Sequence, residues 1–582
     1  MTGRGGKRKF GREMAALVVA GACVSAGDAG AVAPFGTGAG RSPFAEAVRE
    51  AAGRGLDAPA RRAVPRTGDT HLLVILAEFS DTPHRIEPAR FDRLLFAADT
   101  VSMRTYYDEV SRGAFQLTGD LHGWVTLPRT KQYYSQGVGG VGSYPTNGQR
   151  MAEDALTEAI DGGLDLSAYD ADTDGFVDAL LVIHSGQGYE WASNAQVTPE
   201  HDTDAINSHK WALRRTDYGA GLPEVEDYFT CPELQLARKI HYPAWDDSIA
   251  TIGVYCHEFG HMLGLPDFYD TFTFENRIGH WDLMDYGSWC GLLLPGDLPS
   301  HYSAWSRMFL GWTTEETLPP PTGDTLGETL TLAPVTAEGV PLRLLSNPGG
   351  VDWSMGSPGD GEFFLAEVRR REGFDAALPA DGLILFHADE SREGNRTDEN
   401  PDGGGLLLLL PQDEVVSVMP GNAAADPWPS TGGQNAFDST STPSSRLFDG
   451  TDSGVELREI TQPDAEGRVF FFAAAPLDKT MIPPIPFARP NPFRPGSEET
   501  VQLVVSLVPD ATGEDASVTI HDLSGRRLRT LRVSAGDFAG DRRVARWDGR
   551  DDDGRPLPSG VYFFGVAGGA GDGGAGKILL LR

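Results

Sequence analysis

The chain has 582 residues, 49 basic against 83 acidic, for a formal net charge of −34. Such a surface repels nucleic acid and anionic membranes, which argues against both as partners, and it leaves carboxylates in surplus for hard cations such as calcium. The length is too great for one core, and 71 glycines with 40 prolines predict several turn-rich domains with much β structure.

The first 31 residues read as a secretory signal peptide. Lys7, Arg8, Lys9 and Arg12 form a basic region, "MAALVVAGACV" a short apolar core, and Ala29 to Ala31 a small-residue cleavage site. The apolar run is far short of a membrane span. Residues 32–67, rich in Ala, Gly and Arg, read as a linker or short propeptide. The amphipathic stretch "FAEAVREAAGRGL" has few large apolar residues, so it is expected to bury little area and to act mainly as a linker.

Residues 68–318 alternate strands and helices and predict an α/β domain. "HLLVILAEFSD" is an apolar strand, "MRTYYDEVSRGAF" a helix ending near Gly113, and "FQLTGDLHGWVTL" alternates like strands. "QRMAEDALTEAID" is a helix, and "DALLVIHSGQG" a strand running into a glycine turn. "TLPPPTGD" marks a boundary near residue 320. Residues 319–478 carry strand-like runs such as "EFFLAEVRRR", "GLILFHADE" and "RVFFFAAAP" with no long helical pattern, which predicts a β-sandwich. A proline-rich linker covers 479–496. Residues 497–582 alternate short strands with glycine turns, as a small Ig-like domain of about seven strands does.

The chemistry concentrates in "CHEFGHMLGLPDFYD", residues 256–270. Positions i and i+4 of a helix share a face, so His257 and His261 can aim imidazole nitrogens at one metal ion, with Glu258 beside them as a base rather than a ligand. Catalytic zinc takes three protein ligands and keeps one position open. Gly264 can end the helix and bring Asp267 round as the third ligand, in the HExxHxxGxx spacing of metzincins with Asp in place of their usual His. "WDLMDYGSW" (Trp281 to Trp289) places Met284 in a tight aromatic turn, as in the metzincin Met-turn.

At this point a resemblance is specific. "GVYCHEFGHMLGLPDFYD", "GHWDLMDYGSWCG" and "SAWSRMFLGW", with "MRTYYDEVSRGAFQLTGDLHGWV" and "FVDALLVIHSGQG" upstream, resemble the immune inhibitor A family of secreted bacterial zinc peptidases over roughly residues 70–315. The resemblance implies a zinc-dependent endopeptidase acting on protein or peptide substrates, with His257 and His261 as ligands and Glu258 as catalytic residue. The third ligand is Asp267 or, as the alternative, His301 in "HYSAWSRMFLGW". Bound zinc would lower the pKa of a water to about 7, and Glu258 would take its proton during attack on the peptide carbonyl. Tyr286 stands where astacin-like enzymes carry a tyrosine that helps to hold the oxyanion. The alternative reading is a secreted adhesion or binding protein with a degenerate peptidase domain. Glu258 discriminates, since a degenerate domain would tolerate its loss.

"YDADTDGFVDALL" places Asp170, Asp172, Asp174 and Asp178 as in the first nine positions of an EF-hand loop, with Gly175 at the sixth. This predicts a calcium ion, although Leu181 stands where the loop's closing Glu belongs. Cys231, Cys256 and Cys290 remain once the signal peptide is removed. An oxidising compartment permits one disulfide among them and leaves one thiol. "NPFRP", "IHDLSGRRLRTL" and "WDGRDDDGRPLPSGVYFFGV" resemble the Ig-like domain of the flagellar hook-capping protein, which in secreted enzymes implies cell-surface attachment through the C-terminal domain.

Overall fold

The computed structural model describes residues 43–56, 64–171, 173–192, 204–235, 248–318, 327–337, 339–345, 347, 350–354, 357–418, 420–429, 434–474, 487–489, 493, 495, 500–506, 516–523, 525–533, 538–539, 542–567, 576–580 and 582. The signal-peptide reading falls outside them, as does Asp172. The chain divides into two compact units, Met1–Leu345 with Trp353–Ala475, and Ser346–Asp352 with Pro476–Arg582. No helix among the described residues is long and apolar enough to cross a membrane.

The first element is a helix, α1 (Pro43–Ala52). It is followed by β1 (Gly68–Glu78), α2 (Pro88–Phe96), α3 (Met103–Val110), β2 (Phe115–Thr126), α4 (Lys131–Ser135), α5 (Gly148–Asp161), β3 (Leu180–Gln187), α6 (Tyr189–Ala192), β4 (His209–Ala212), β5 (Asp227–Gln235) and β6 (Ser248–Ile249). These strands form one sheet in the order β2-β1-β3-β5-β4, with β6 on β5; the β2-β1-β3-β5 part is parallel. Leu72 to Ala77 of β1 are all fully buried, which is why this strand reads as an unbroken apolar run instead of an alternating one. Leu73, Ile75 and Ala77 share a core with Met151, Ala152, Ala155 and Leu156 of α5.

Helix α1 does not behave as a linker. Ala51 is fully buried and Leu56 is 6 % exposed, both within that same core. Arg54 Nη2 donates to Val141 O at 3.1 Å, and the Arg54 carbonyl accepts from Trp211 Nε1 at 3.2 Å. Arg49 Nη2 donates to Phe272 O at 2.9 Å, with its guanidinium 4.6 Å from the Phe272 ring centroid. The stretch is poor in large apolar residues, yet its alanines permit close approach and its arginine stems supply the contact area.

Helix α7 (Ile252–Met262) follows and is buried along its whole length, packed against β5. A helix that is apolar all round belongs in an interior. Helix α8 (Ala304–Phe309) follows. Strands β7 (Glu316–Thr317), β8 (Gly327–Leu332), β9 (Leu342–Leu344), β10 (Glu362–Arg369), β11 (Gly382–Asp389) and β12 (Leu407–Leu409), the short helix α9 (Pro420–Ala423), β13 (Glu456–Arg458) and β14 (Val469–Ala474) complete the unit. They make a five-stranded sheet, β12-β11-β10-β9-β7, and a three-stranded one, β13-β14-β8. This segment lies in the same compact unit as the α/β sheet. Arg369, fully buried, donates to Trp281 O at 2.8 Å and His301 O at 3.2 Å while pairing with Asp375 at 2.6 Å. Asp426 Oδ2 accepts from Trp281 Nε1 at 2.7 Å.

In the second unit, β15 (Phe487–Arg489), β16 (Val501–Ser506), β17 (Ala516–His521), β18 (Arg527–Val533), β19 (Phe538–Ala539), β20 (Arg542–Trp547), β21 (Gly560–Ala567) and β22 (Gly576–Leu580) form two four-stranded antiparallel sheets, β15-β16-β20-β19 and β18-β17-β21-β22. Leu503, Val518, Ile520, Trp547, Phe564 and Ile578 share its apolar core. The whole chain is thus mixed α/β with several sheets.

Candidate metal centre

Helix α7 carries His257, Glu258 and His261, each 1 % exposed. Two glycines inside it cost helix stability, about 1 kcal/mol each relative to alanine, and each has a steric reason. A Cβ on Gly253 would lie 1.9 Å from Ser288 O, and one on Gly260 would lie 2.5 Å from Met284 Sδ. The turn around Met284 therefore packs directly on the helix, between the two histidine positions. Tyr107 Oη on α3 braces the other side by donating to Cys256 O at 2.7 Å. The helix ends at Leu263. Gly264, at φ +97°, takes the left-handed conformation that L side chains avoid and turns the chain toward Asp267.

His257 Nε2 is 3.1 Å from Asp267 Oδ1, and His261 Nε2 is 3.4 Å from the same oxygen. The Asp267 side chain is 6 % exposed. The two imidazoles stand edge to face, centroids 5.0 Å apart. His257 Nδ1 donates to Leu283 O at 3.0 Å and His261 Nδ1 to Leu265 O at 2.9 Å. Carbonyls only accept, so these bonds fix the Nδ1–H tautomer in each neutral ring. Both Nε2 lone pairs then face a carboxylate oxygen in a buried pocket. That arrangement is repulsive unless a cation, proton or metal, sits among the three groups, and one ligand atom from each residue lies within 4.8 Å of the others. Two imidazole nitrogens and a carboxylate are a donor set that suits zinc. Burial by itself would raise the Asp267 carboxyl; where a proton on the imidazoles is the cation, the charges and hydrogen bonds of His261 and His257 outweigh burial and hold the carboxyl well below its usual range.

His301 stands elsewhere. Its Nε2 is 3.0 Å from Glu109 Oε1 and its backbone N–H donates to Asp375 Oδ1 at 2.9 Å. Tyr286 is 7 % exposed, its ring edge-on to His280 with centroids 4.8 Å apart. In the acidic loop, Asp170 accepts from the N–H groups of Asp174 and Gly175, both at 3.0 Å, and Asp174 Oδ1 from Phe176 N–H at 3.0 Å. Asp178 Oδ2 accepts from Ala171 N–H at 3.3 Å. These carboxylates close the loop on its own backbone. The one His/Cys/Asp/Glu group among the described residues arranged to hold a metal is His257, His261 and Asp267. Cys231, Cys256 and Cys290 are free and buried, so no disulfide forms among them; burial pushes the Cys290 thiol up to about 12 and the other two well above the usual value.

Several residues around the site carry no sequence motif. Asn395 Nδ2 donates to Phe268 O at 2.7 Å, and Asp270 Oδ2 accepts from Thr397 N–H at 3.1 Å and its hydroxyl at 2.6 Å. The chain after β11 thereby pins the loop that bears Asp267. A cleft of about 220 Å³ lies beside Asp267, walled by Pro266, Glu393 and Arg396, by Val48 and Ala52 of α1, and by Leu56 in the turn that follows it.

A buried His–Glu helix with a convergent carboxylate is an arrangement able to hold a metal ion. Residues 65–314 match the family model described as Immune inhibitor A peptidase M6, catalytic domain, and residues 493–572 match the FlgD Ig-like domain. The chain therefore carries a peptidase M6 domain followed by a FlgD Ig-like domain. It is similar to Immune inhibitor A of Bacillus thuringiensis subsp. alesti, 28 % identical over 288 residues, which are 41 % of this chain and 39 % of that protein. Pre-pro-metalloprotease PrtV of Vibrio cholerae serotype O1 is 28 % identical over 283 residues, 41 % of this chain and 29 % of that protein. The matched region thus spans well under half the length of either relative. Among solved structures, PorZ of Porphyromonas gingivalis aligns at 16 % identity over 38 % of this chain and 21 % of that one, with a TM-score of 0.14, too low to bear on the fold.

Proposed function

We propose that the protein is a secreted zinc-dependent endopeptidase that hydrolyses peptide bonds of extracellular proteins. The observation that supports this most is the convergence of His257, His261 and Asp267 at one buried point, with Glu258 next to His257 on the same helix. His257, His261 and Asp267 are the residues we assign to the ion, on a metzincin-like plan of helix, Gly264 turn and Met284 turn. When bound, zinc supplies a Lewis acid that polarises the scissile carbonyl and makes a water acidic near neutral pH. Glu258 accepts the proton of the attacking water and delivers it to the leaving amine. Leu283 O and Leu265 O keep the Nδ1 protons in place, which would leave both Nε2 lone pairs to hold the ion. The Asp267 carboxylate would offset part of the dication's charge. Tyr286, two residues after Met284, is the side chain we assign to the oxyanion. Secretion rests on the basic and apolar N-terminal stretch.

The experiment is zinc content and casein hydrolysis of Glu258→Ala beside the unaltered chain. The variant is expected to keep about one zinc per chain and to lose nearly all turnover. Casein cleavage at the unaltered rate would remove Glu258 from the reaction and the reading with it.

A further inference from the structure

The last turn of an α-helix leaves four carbonyls without partners inside the helix. In α7 this is the turn that leads to the third metal-facing residue, and an arginine from outside the helix holds it. Arg66 Nε donates to Leu263 O at 3.2 Å, and Arg66 Nη1 donates to Phe309 O, the last carbonyl of α8, at 2.9 Å. The guanidinium lies 3.8 Å from the Phe309 ring centroid. A cation at the negative end of two helices is well placed electrostatically. The backbone around it is tied down as well: Arg66 O accepts from Trp312 Nε1 at 2.6 Å, and Val64 N–H donates to Met262 O at 3.4 Å. A Cβ on Gly264 would lie 3.2 Å from Arg66 Nη2, so the guanidinium packs directly on the left-handed turn. Burial lowers the Arg66 guanidinium only to about 10, which leaves it charged at neutral pH.

That turn serves the site twice. Leu265 O, one residue after Gly264, accepts from His261 Nδ1 at 2.9 Å and fixes that ring. Asp267, two residues later, brings its carboxylate to both imidazoles. A shift in the Leu263–Gly264 peptide therefore moves a ligand's orienting carbonyl and the third ligand together. We infer that Arg66 is a positioning residue of the metal centre: its grip on Leu263 O and Phe309 O sets the Gly264 turn and, through it, the places of Leu265 O and Asp267. The inference rests on the assignment of His257, His261 and Asp267 as the ligand set. Its consequence is that the active chain has to retain the stretch from Val64 to Arg66 whatever becomes of the residues before it.

The test uses the full chain with Arg66→Gln, Arg66→Lys and Trp312→Phe. Trp312→Phe removes a hydrogen bond from the same backbone stretch without touching the guanidinium, and so controls for general loosening. Zinc affinity is read by competition with a chromogenic chelator, the metal-free unfolding midpoint by urea, and the visible spectrum on cobalt-loaded protein. Partners of ligating residues commonly change metal affinity by 10- to 100-fold on substitution. Arg66→Gln is expected to weaken zinc at least about tenfold and to alter the cobalt spectrum. Arg66→Lys, a point charge with no fork, recovers only part of the loss. Trp312→Phe lowers the midpoint and leaves zinc affinity within about twofold. Wild-type zinc affinity in Arg66→Gln, or zinc losses in all three variants that merely track lost stability, overturns the inference. Asp267→Asn in the same assay separates the two levels: if it binds zinc as tightly as the unaltered chain, the ligand assignment itself fails.

Discussion

Gly260 of α7 and Met284 of the following turn are in direct opposition: a methyl group on the glycine would lie 2.5 Å from the methionine sulfur and 3.0 Å from Tyr302 Oη. Neither neighbour has room to give. Met284 and Tyr302 are fully buried, and Tyr302 Oη is 3.1 Å from Tyr107 Oη. Gly260→Ala gains about 1 kcal/mol of helix propensity, but overpacking at such a site costs about 1–3 kcal/mol and moves the histidine helix off its bed. A net loss in urea unfolding is expected. Met284→Ala, which opens a cavity, costs about 2–5 kcal/mol alone. Combined with Gly260→Ala it should cost less than the sum, because the new methyl enters the space the sulfur left. Strict additivity in that cycle would show that the two residues do not press on each other.

Asp267 and His301 were the two candidates for a third ligand, and their surroundings differ. Asp267 faces both imidazoles, whereas His301 Nε2 is 3.0 Å from Glu109 Oε1 under α3. Asp267→Asn is expected to weaken zinc sharply, by about 100-fold or more if a charged ligand is worth the several kcal/mol typical of buried ion pairs. His301→Ala is expected to leave affinity within about threefold and to lower the unfolding midpoint through the lost Glu109 contact. Chelator competition on the two variants decides, and a reversed order would place the ligand on His301.

The parts of this site legible from sequence are those set by local geometry. His257 and His261 fall on one face because a helix repeats every 3.6 residues, and Gly264 announces the turn because left-handed backbone selects glycine. What supports them from afar has no such signature. Arg66 grips a carbonyl 197 residues away, and Asn395 and Thr397 reach the Asp267 loop across 127. A period along the chain says nothing about contacts at that separation. The acidic loop is ambiguous in a different way: four aspartates near one glycine fit a cation and a self-closed turn equally well, and the bonds that Asp170, Asp174 and Asp178 accept from the loop's own N–H groups are compatible with either. In α1 the count of large apolar residues was the wrong measure, since Ala51 is buried through its smallness. The sequence left open one disulfide among the three cysteines; all three are free, because whether any two meet depends on the packing of β5, α7 and the turn after it.

Asp426 gives the first unit a pH dependence. Burial pushes its carboxyl up to about 8; the Trp281 indole N–H pulls it back in part, and Asp413 adds to the rise. An unfolded chain releases this proton near 3.8, while the folded chain holds it until about 8. Between those values the folded state binds more protons, so stability falls as pH rises. The slope from this one group is at most about 1.4 kcal/mol per pH unit. Asp426→Asn keeps an oxygen to accept from Trp281 Nε1 but does not titrate. Urea midpoints at pH 5, 6 and 7 should fall for the unaltered chain relative to the variant, with the gap narrowing toward pH 5 from the variant's side. Parallel pH profiles would mean that Asp426 is ionised in the fold throughout.

The docking of α1 bears on access to the cleft. Val48, Ala52 and Leu56 form one wall of the space that Asp267 faces, and the helix is tied down by Arg49 on Phe272 and by Arg54 on Val141. Under the proposed function a polypeptide substrate lies beside Asp267 and competes with this wall. Burying one leucine contributes about 1.5–3 kcal/mol, and a bias of that size shifts an open–covered equilibrium by about 10- to 100-fold. Leu56→Asp puts a charge where Leu56 is 6 % exposed, and Arg49→Ala removes the contact with Phe272. Each is expected to raise kcat/KM on a peptide substrate, about tenfold or more for Leu56→Asp, with the larger effect when combined. The metal-free unfolding midpoint is measured alongside, because Leu56 also belongs to the core of the central sheet. If activity stays level or falls in both variants while zinc content is unchanged, α1 is part of the substrate-binding wall and does not cover the site.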